Sequence, residues 1–236
     1  MSGLVFIISA PSGSGKSTLV NELRHSVPGL EFSVSYTTRP PRGSEQEGRE
    51  YHYISRQQFD LMVAAGDFLE YAEVFGHCYG TARRFLDEAM RRGHDLLLDI
   101  DVQGAEQLRK KLPGAISIFI LPPSRRELEL RLRRRSSAEN VKDEEIIRRR
   151  LDTASREINN YSLYDYILVN ARLEDSIERL KAIVLYERLR HAAQAPSGEE
   201  RELMPLAESC RLEQSRQRIQ SILDTFQQSG ASVVPK

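Results

Sequence analysis

The sequence predicts an α/β fold around a mostly parallel sheet. Three observations predict it. Short apolar runs recur at residues 4–9 (LVFIIS), 96–100 (LLLDI), 115–121 (AISIFIL) and 166–169 (YILV). Each has the length and branched-chain content of a buried strand. Segments with helical spacing fill the intervals, so strand and helix alternate as far as residue 190.

Taken in order, the elements follow local signals. Residues 16–25 carry Leu19, Val20 and Leu23 at helical spacing and close at Pro28 and Gly29. Residues 31–36 alternate and predict a strand. Residues 37–49 are rich in Pro, Gly and charge and predict a loop. Ser55 and Gln58 have capping-box form and open a helix that ends at Gly66. Residues 81–92 predict another helix, stopped by Gly93. Ser124 and Glu127 form a second box, which launches a basic helix to about residue 135. Residues 144–159 and 176–190 predict helices.

Composition excludes several classes. The chain has 236 residues, 40% of them hydrophobic, enough for a core without disulfide staples. No apolar run approaches the roughly 18 residues of a membrane span. Acidic and basic residues balance at 34 each, so global charge predicts neither nucleic-acid nor membrane partners. Cys78 and Cys210 have no metal-ligand spacing, and no apolar leader precedes residue 4. The expected location is the cytoplasm.

The first strand runs into residues 10–18, APSGSGKST. From Ala10 to Ser17 this is the phosphate-loop pattern G-x-x-x-x-G-K-[ST], with Ala10 at the first glycine. Gly13 and Gly15 let backbone N–H groups curl toward phosphate oxygens, at the positive end of the following helix. In this pattern Lys16 reaches the β- and γ-phosphates and Ser17 offers a hydroxyl to Mg²⁺. The alternative is a Gly/Ser turn with an incidental lysine, and the strand before and helix after argue against it. Asp99 ends the strand at 96–99, the place of an acidic residue of the Mg²⁺ site. Asp101 follows two residues on, so both carboxylates are expected on one side of an extended chain. Ile100 stands where a water-splitting ATPase would carry a second acid, which favours an acceptor other than water.

Further blocks name an acceptor. Residues 33–45 (SVSYTTRPPRGSE), 48–53 (GREYHY), 68–76 (FLEYAEVFG), 79–81 (YGT), 98–104 (LDIDVQG), 119–124 (FILPPS) and 166–170 (YILVN) stand in order along the chain. Together they resemble the guanylate kinase family, from residue 4 to residue 190. The resemblance implies the reaction ATP + GMP ⇌ ADP + GDP, with dGMP as a second acceptor, by direct in-line transfer in purine nucleotide metabolism. It implies a three-layer P-loop fold with a GMP-binding insertion at about 36–82 and a helical lid at about 125–155.

The resemblance also implies roles. Arg39, Arg42, Tyr51 and Tyr79 match residues that hold the GMP phosphate. Ser35, Glu70 and Thr81 match those that read guanine, and Glu45 and Asp101 join the GMP site. Residues 10–18 (Ala10, Pro11, Ser12, Gly13, Ser14, Gly15, Lys16, Ser17, Thr18) and Asn170 fall to ATP. Lys16, Arg39, Arg42, Asp99, Asp101 and the lid arginines Arg131, Arg135 and Arg150 are the expected catalytic set. Ser17 and Asp99 are the expected Mg²⁺ ligands, partly through water. His77-Cys78 and Ser44 depart from the usual family residues.

The chemistry suits these types. Guanine shows N1–H and N2–H₂ side by side as donors and O6 as an acceptor. An ionised Glu70 accepts from both donors, and Thr81 or Ser35 donates to O6. The acceptor phosphate is already ionised, so no general base is needed, and cations must offset the repulsion of two polyanions. Residues 125–150 hold ten basic and six acidic side chains. An RNA-binding reading of that excess lacks interleaved aromatics. Two other readings stand beside the kinase: a peptide-binding module of guanylate-kinase type without catalysis, and a P-loop kinase for another small phosphorylated acceptor.

After residue 190 the character changes. Residues 191–198 read as a linker and 199–236 as a helical extension with no counterpart in the family pattern. Ile219, Ile222, Leu223 and Phe226 share one helix face. That face docks on its own domain, joins a second copy, or belongs to a frayed, disordered tail, and the chain is expected as a monomer or a homo-oligomer.

Overall fold

The computed structural model describes residues 3–138 and 144–227. In chain order these form β1 (Val5–Ser9), α1 (Lys16–Ser26), β2 (Leu30–Ser33), β3 (Tyr36–Thr37), β4 (His52–Tyr53), α2 (Arg56–Ala65), β5 (Phe68–Val74), β6 (His77–Ala82) and α3 (Arg83–Arg92). Next come β7 (Asp95–Asp99), α4 (Val102–Lys111), β8 (Ile116–Leu121), α5 (Arg125–Ala138), α6 (Glu144–Ile158), β9 (Tyr166–Val169), α7 (Leu173–Ala192), α8 (Gly198–Ser209) and α9 (Leu212–Gln227). Glu139, Lys142 and Asp143 of the predicted lid, and the last residues of the predicted extension, lie outside the described residues. The chain divides into two units, one of residues 1–8 and 27–116, the other of residues 9–26 and 117–236.

In the first unit β2, β7 and β1 pair in parallel, with Ile8 beside Asp99 and Ser33 beside Leu98. Leu96, Leu97 and Leu98 are buried on both faces, which is why this strand reads as a continuous apolar run. The unit also holds a second sheet, in the order β4-β3-β6-β5. Two expectations fail in this region. The strand expected at 31–36 is two strands, β2 and β3, in different sheets, because the chain breaks out of β2 after Ser33. The helix expected from residue 81 starts at Arg83, since Thr81 and Ala82 end β6.

The hairpin of β5 and β6 was not predicted, and its register sets the direction of a charged side chain. Phe68 faces Ala82, yet Glu70 faces Thr81, so β5 carries one extra residue at Leu69. Such a bulge re-aims the next side chain. Without it Glu70 would face Gly80.

Helix α4 was also unpredicted. Asp101 is its N-cap, and its Oδ1 accepts the Gly104 N–H at 2.9 Å. The chain leaves β7 at Asp99, so Asp99 and Asp101 are not a pair on one extended strand. One ends a strand and the other starts a helix.

In the second unit β8 and β9 pair in parallel, and every residue of β8 is buried. The helix predicted to end near residue 135 runs on to Ala138. The extension is built in. Cys210 C=O accepts from Ile167 N–H at 2.7 Å, and Leu212 N–H donates to Asp165 C=O at 2.9 Å. Arg211 thereby makes an antiparallel bridge to Tyr166 on β9. Beneath it the buried Glu187 accepts from the Tyr166 hydroxyl, from Arg190 at 2.9 Å and from Arg211 at 3.3 Å. Arg211 also lies 5.3 Å over the rings of Tyr166 and Tyr186. Helix α9 buries Ile219, Leu223 and Phe226 and meets α5, α6 and β9, so the apolar face docks on its own unit. Its Thr225 hydroxyl accepts the Arg125 N–H at 3.0 Å, at the start of α5.

Candidate active site

The phosphate loop belongs to the second unit. Ser14 N–H donates to Pro11 C=O at 3.1 Å, and the chain passes Gly13 at φ +90° and Gly15 at φ +88°. Both angles favour glycine, and both sites are closed to a side chain. A Cβ on Gly15 would stand 2.5 Å from Asn170 Nδ2, and one on Gly13 would stand 2.9 Å from Leu132. Leu19 N–H then bonds Gly15 C=O and α1 begins. Ala10 is buried, Pro11 and Ser12 lead across the loop, Lys16 is half-buried, and Ser17 and Thr18 stand in the first turn of α1.

Asn170, expected beside the adenine, is tied to this loop: its Nδ2 donates to Ser14 C=O at 2.8 Å. Arg131 on α5 joins the same knot, donating to Asn170 C=O at 3.1 Å and to Ser14 C=O at 3.4 Å. Glu127 holds Arg131 from one turn back at 3.0 Å. Arg135 lies exposed one turn further along α5, and Arg150 is half-buried on α6. Arg133 pairs with Glu129 on its own helix and with Glu144 on α6.

A second cluster lies in the first unit. Arg39 is 5% exposed, and its Nη2 donates to both oxygens of Glu45 at 3.0 and 2.9 Å. Burial alone would lower the Arg39 pKa, but the Glu45 carboxylate overcomes it and raises it. Burial likewise opposes ionisation of Glu45. The Arg42 N–H, Arg39 and the Tyr53 hydroxyl outweigh it and hold that carboxyl below its usual range. Three aromatic rings surround the pair. Arg39 lies 5.4 Å over the Tyr51 ring, and Tyr51 meets Tyr79 edge-on at 5.7 Å and Tyr53 at 6.1 Å. Burial, with the nearby Asp99 charge, pushes the Tyr51 phenol up to about 12. Arg42 is exposed, and its backbone N–H reaches Glu45 at 2.8 Å. Tyr53 was not among the predicted residues. Its place one β-residue beyond His52 gave no signal for a bond to Glu45.

The third feature is Glu70, which is 3% exposed. Its Oε1 accepts the Thr81 hydroxyl at 2.6 Å, the contact that the bulge makes possible. Burial first, then the Asp101 carboxylate, pushes its pKa up to about 7. Thr81 and, more weakly, Lys111 pull it back. Gly104 lets the carboxyl in: a Cβ there would stand 2.3 Å from Glu70 Oε2. Ser35 is buried, its carbonyl accepting His52 N–H at 2.9 Å. The structure therefore gathers Arg39, Glu45, Tyr51 and Tyr79 in one group, and Glu70, Thr81 and Asp101 in another.

The residues fit the groups that the sequence implies. Ser14 Oγ is buried without a hydrogen-bond partner, a costly state that a phosphate oxygen would relieve. In the second unit Ser17 offers a hydroxyl, a hard oxygen donor suited to Mg²⁺, which keeps most of its ligands as water and phosphate. Among the described residues no three His, Cys, Asp or Glu side chains form a metal cage.

With this geometry in place, comparison with known proteins is direct. The family model described as guanylate kinase matches residues 2–187. The chain belongs to the guanylate kinase family. A guanylate kinase of Koribacter versatilis is 62% identical over 226 residues, covering 96% of this chain and 97% of the relative. One of Geobacter metallireducens is 50% identical over 188 residues, 80% of this chain and 91% of the relative. The crystal structure of guanylate kinase from Anaplasma phagocytophilum aligns with a TM-score of 0.63 at 32% identity, covering 88% of this chain and 96% of that one. The family model ends before the extension, as expected. The Koribacter match reaches through α8 and nearly all of α9, so that relative does carry a counterpart of it.

Proposed function

We propose that this chain is an ATP-dependent guanylate kinase, a phosphotransferase that converts GMP, and dGMP with it, to the diphosphate. The observation that carries the acceptor is the sealed carboxyl of Glu70 with the Thr81 hydroxyl on it. Ionised, Glu70 accepts from guanine N1–H and N2–H₂, and Ser35, or Thr81 once its hydroxyl turns from Glu70, donates to O6. Adenine would turn an unprotonated ring nitrogen toward the carboxylate. A site built to bond one edge rejects an analogue that lacks it, by as much as about 10⁴–10⁵.

Arg39, Arg42, Tyr51 and Tyr79 take the GMP phosphate. Arg39 arrives oriented, because Glu45, itself held by Tyr53, fixes it before any ligand binds. Residues 10–18 take the ATP phosphates through backbone N–H groups, with Lys16 as the side-chain cation. Arg131, Arg135 and Arg150 supply further positive charge, and Asn170 braces the loop. Ser17 and Asp99 are the oxygens assigned to Mg²⁺, directly or through water, and Mg²⁺ supplies charge neutralisation to the phosphates. Asp101 serves the GMP site through Glu70 and through the cap of α4.

Transfer is direct and in line, and the attacking GMP oxygen needs no base. The chain's contribution is positioning and charge stabilisation. Gly15, Lys16, Ser17 and the matched arginines are all retained, which favours a catalyst over a peptide-binding module. The two cysteines are buried and unpaired, which suits the reducing cytoplasm.

A coupled assay for ADP tests the reading. With ATP and Mg²⁺, GMP and dGMP should turn over, while AMP, UMP and ribose 5-phosphate should lag by at least about 10³-fold in kcat/KM. Equal rates with AMP would overturn the acceptor. Failure of every acceptor with folded protein would favour the binding module.

A further inference from the structure

Strand β5 lies at the edge of its sheet, with β6 on one side only. An edge strand leaves N–H and C=O groups without a neighbouring strand. Here α4 supplies the partners from side chains. Gln107 Nε2 donates to Tyr71 C=O at 2.7 Å, while Gln107 Oε1 accepts Tyr71 N–H at 3.4 Å. Lys111 Nζ donates to Leu69 C=O at 2.6 Å. Residues 104, 107 and 111 recur at helical spacing, and the residues they serve on β5 are 70, 71 and 69. The two backbone neighbours of Glu70 are therefore held by one helix face, and the same face opens at Gly104 to admit the Glu70 carboxyl.

We propose that Gln107 and Lys111 are positioning residues for base recognition: together they stand in for a missing strand, lock the bulged segment 69–71, and fix the Glu70 carboxyl where it meets the guanine edge. This rests on the reading that Glu70 binds guanine. Neither residue touches the base, and each acts through the backbone beside Glu70. Lys111 has a second effect, through charge. The charges acting on Glu70 are Asp101 at the start of α4, which disfavours ionisation, and Lys111 at its end, which favours it. Strand β6 presents the neutral Thr81.

The test uses the full chain and four variants: Gln107→Ala, Lys111→Met, Lys111→Arg and Glu70→Gln. KM for GMP and for ATP is measured for each, with the pH profile of kcat/KM for GMP. Gln107→Ala and Lys111→Met should raise KM for GMP about threefold to tenfold, the size of one or two lost hydrogen bonds, with KM for ATP within about twofold. Lys111→Met should also move the midpoint of the pH profile upward, and Lys111→Arg should restore both readouts. Should Gln107→Ala fail to fold, the Met and Arg variants at 111 decide. Unchanged GMP kinetics, or equal loss for GMP and ATP, would overturn the proposal. Glu70→Gln separates the two levels. If it harms GMP selectively while the α4 variants do nothing, only the clamp is wrong. If it harms GMP and ATP alike, the guanine reading itself fails.

Discussion

Arg39 and Glu45, six residues apart across an irregular turn, form a two-bond ion pair in which one guanidinium nitrogen serves both carboxylate oxygens. Glu45 is thus already committed, to Arg39, to the Arg42 N–H and to the Tyr53 hydroxyl. In the proposed function its role is to aim a cation. Glu45→Ala should leave Arg39 misdirected and raise KM for GMP about 10–100-fold, the worth of about 1.5–3 kcal/mol for bonds to a charged group. Steady-state kinetics with ATP saturating would measure it, and an unchanged KM would remove Glu45 from the site.

Glu70 should give GMP binding a distinct pH dependence. Its pKa of about 7 means the carboxyl is largely neutral at about pH 6 and largely ionised at about pH 8. In the proposed function the ionised form is the one that accepts from guanine. So kcat/KM for GMP should rise about tenfold per pH unit up to about pH 7 and flatten above it. The profile for ATP should lack this limb. A GMP profile that stays flat across that range would contradict the assignment.

The same shift has a stability consequence of opposite sense. The folded pKa is raised, so the folded state holds a proton that the unfolded chain releases near its ordinary value of 4.5. That stabilisation is complete below pH 4.5 and is lost as pH rises toward about 7. Above that a buried charge is a net cost. Glu70→Gln should therefore melt higher than wild type at about pH 8 while losing GMP selectivity. Thermal melts and kinetics on the same sample would show both.

Gly104→Ala offers a finer probe. The added methyl meets the Glu70 carboxyl at 2.3 Å, and the movable partner is the functional group itself. The side chain yields more readily than the helix, so function should suffer before stability. KM for GMP should rise about tenfold or more with a small change in Tm.

Lys16→Ala addresses the donor site. Loss of one preorganised cation at a phosphoryl centre is worth about 10²–10³ in kcat. GMP affinity, measured calorimetrically without ATP, should stay close to that of wild type. Near-normal turnover would displace Lys16 from its assigned role.

The sequence was most legible where burial is two-sided. β8 is apolar almost throughout, as are β1 and β9, β7 carries three leucines between its terminal aspartates, and the phosphate loop is local by nature. The β5–β6 hairpin was hidden for several reasons. Its burial alternates imperfectly, a charged Glu70 sits inside, and its turn uses Phe75 at φ +51° before Gly76 in place of a common turn pair. Helix α4 was hidden because Asp101 resembled an acid of the preceding strand, when it is a cap. Helix α8 contains Pro205, which reads as a breaker. The Glu45 and Gln107 contacts depend on a turn and a bulge. Periodicity does not encode either.

The bridge between Arg211 and Tyr166 carries an implication for biosynthesis. β9 is the last strand of its sheet, and part of its outer margin is covered by residues 210–212. Translation proceeds from the N-terminus, so the ribosome releases β9 well before the segment that shields it. In that interval the nascent chain carries a strand margin open to pairing with another polypeptide. Premature termination between α7 and α8 would make that exposure permanent, and such products should aggregate even though the whole phosphate loop has been synthesised.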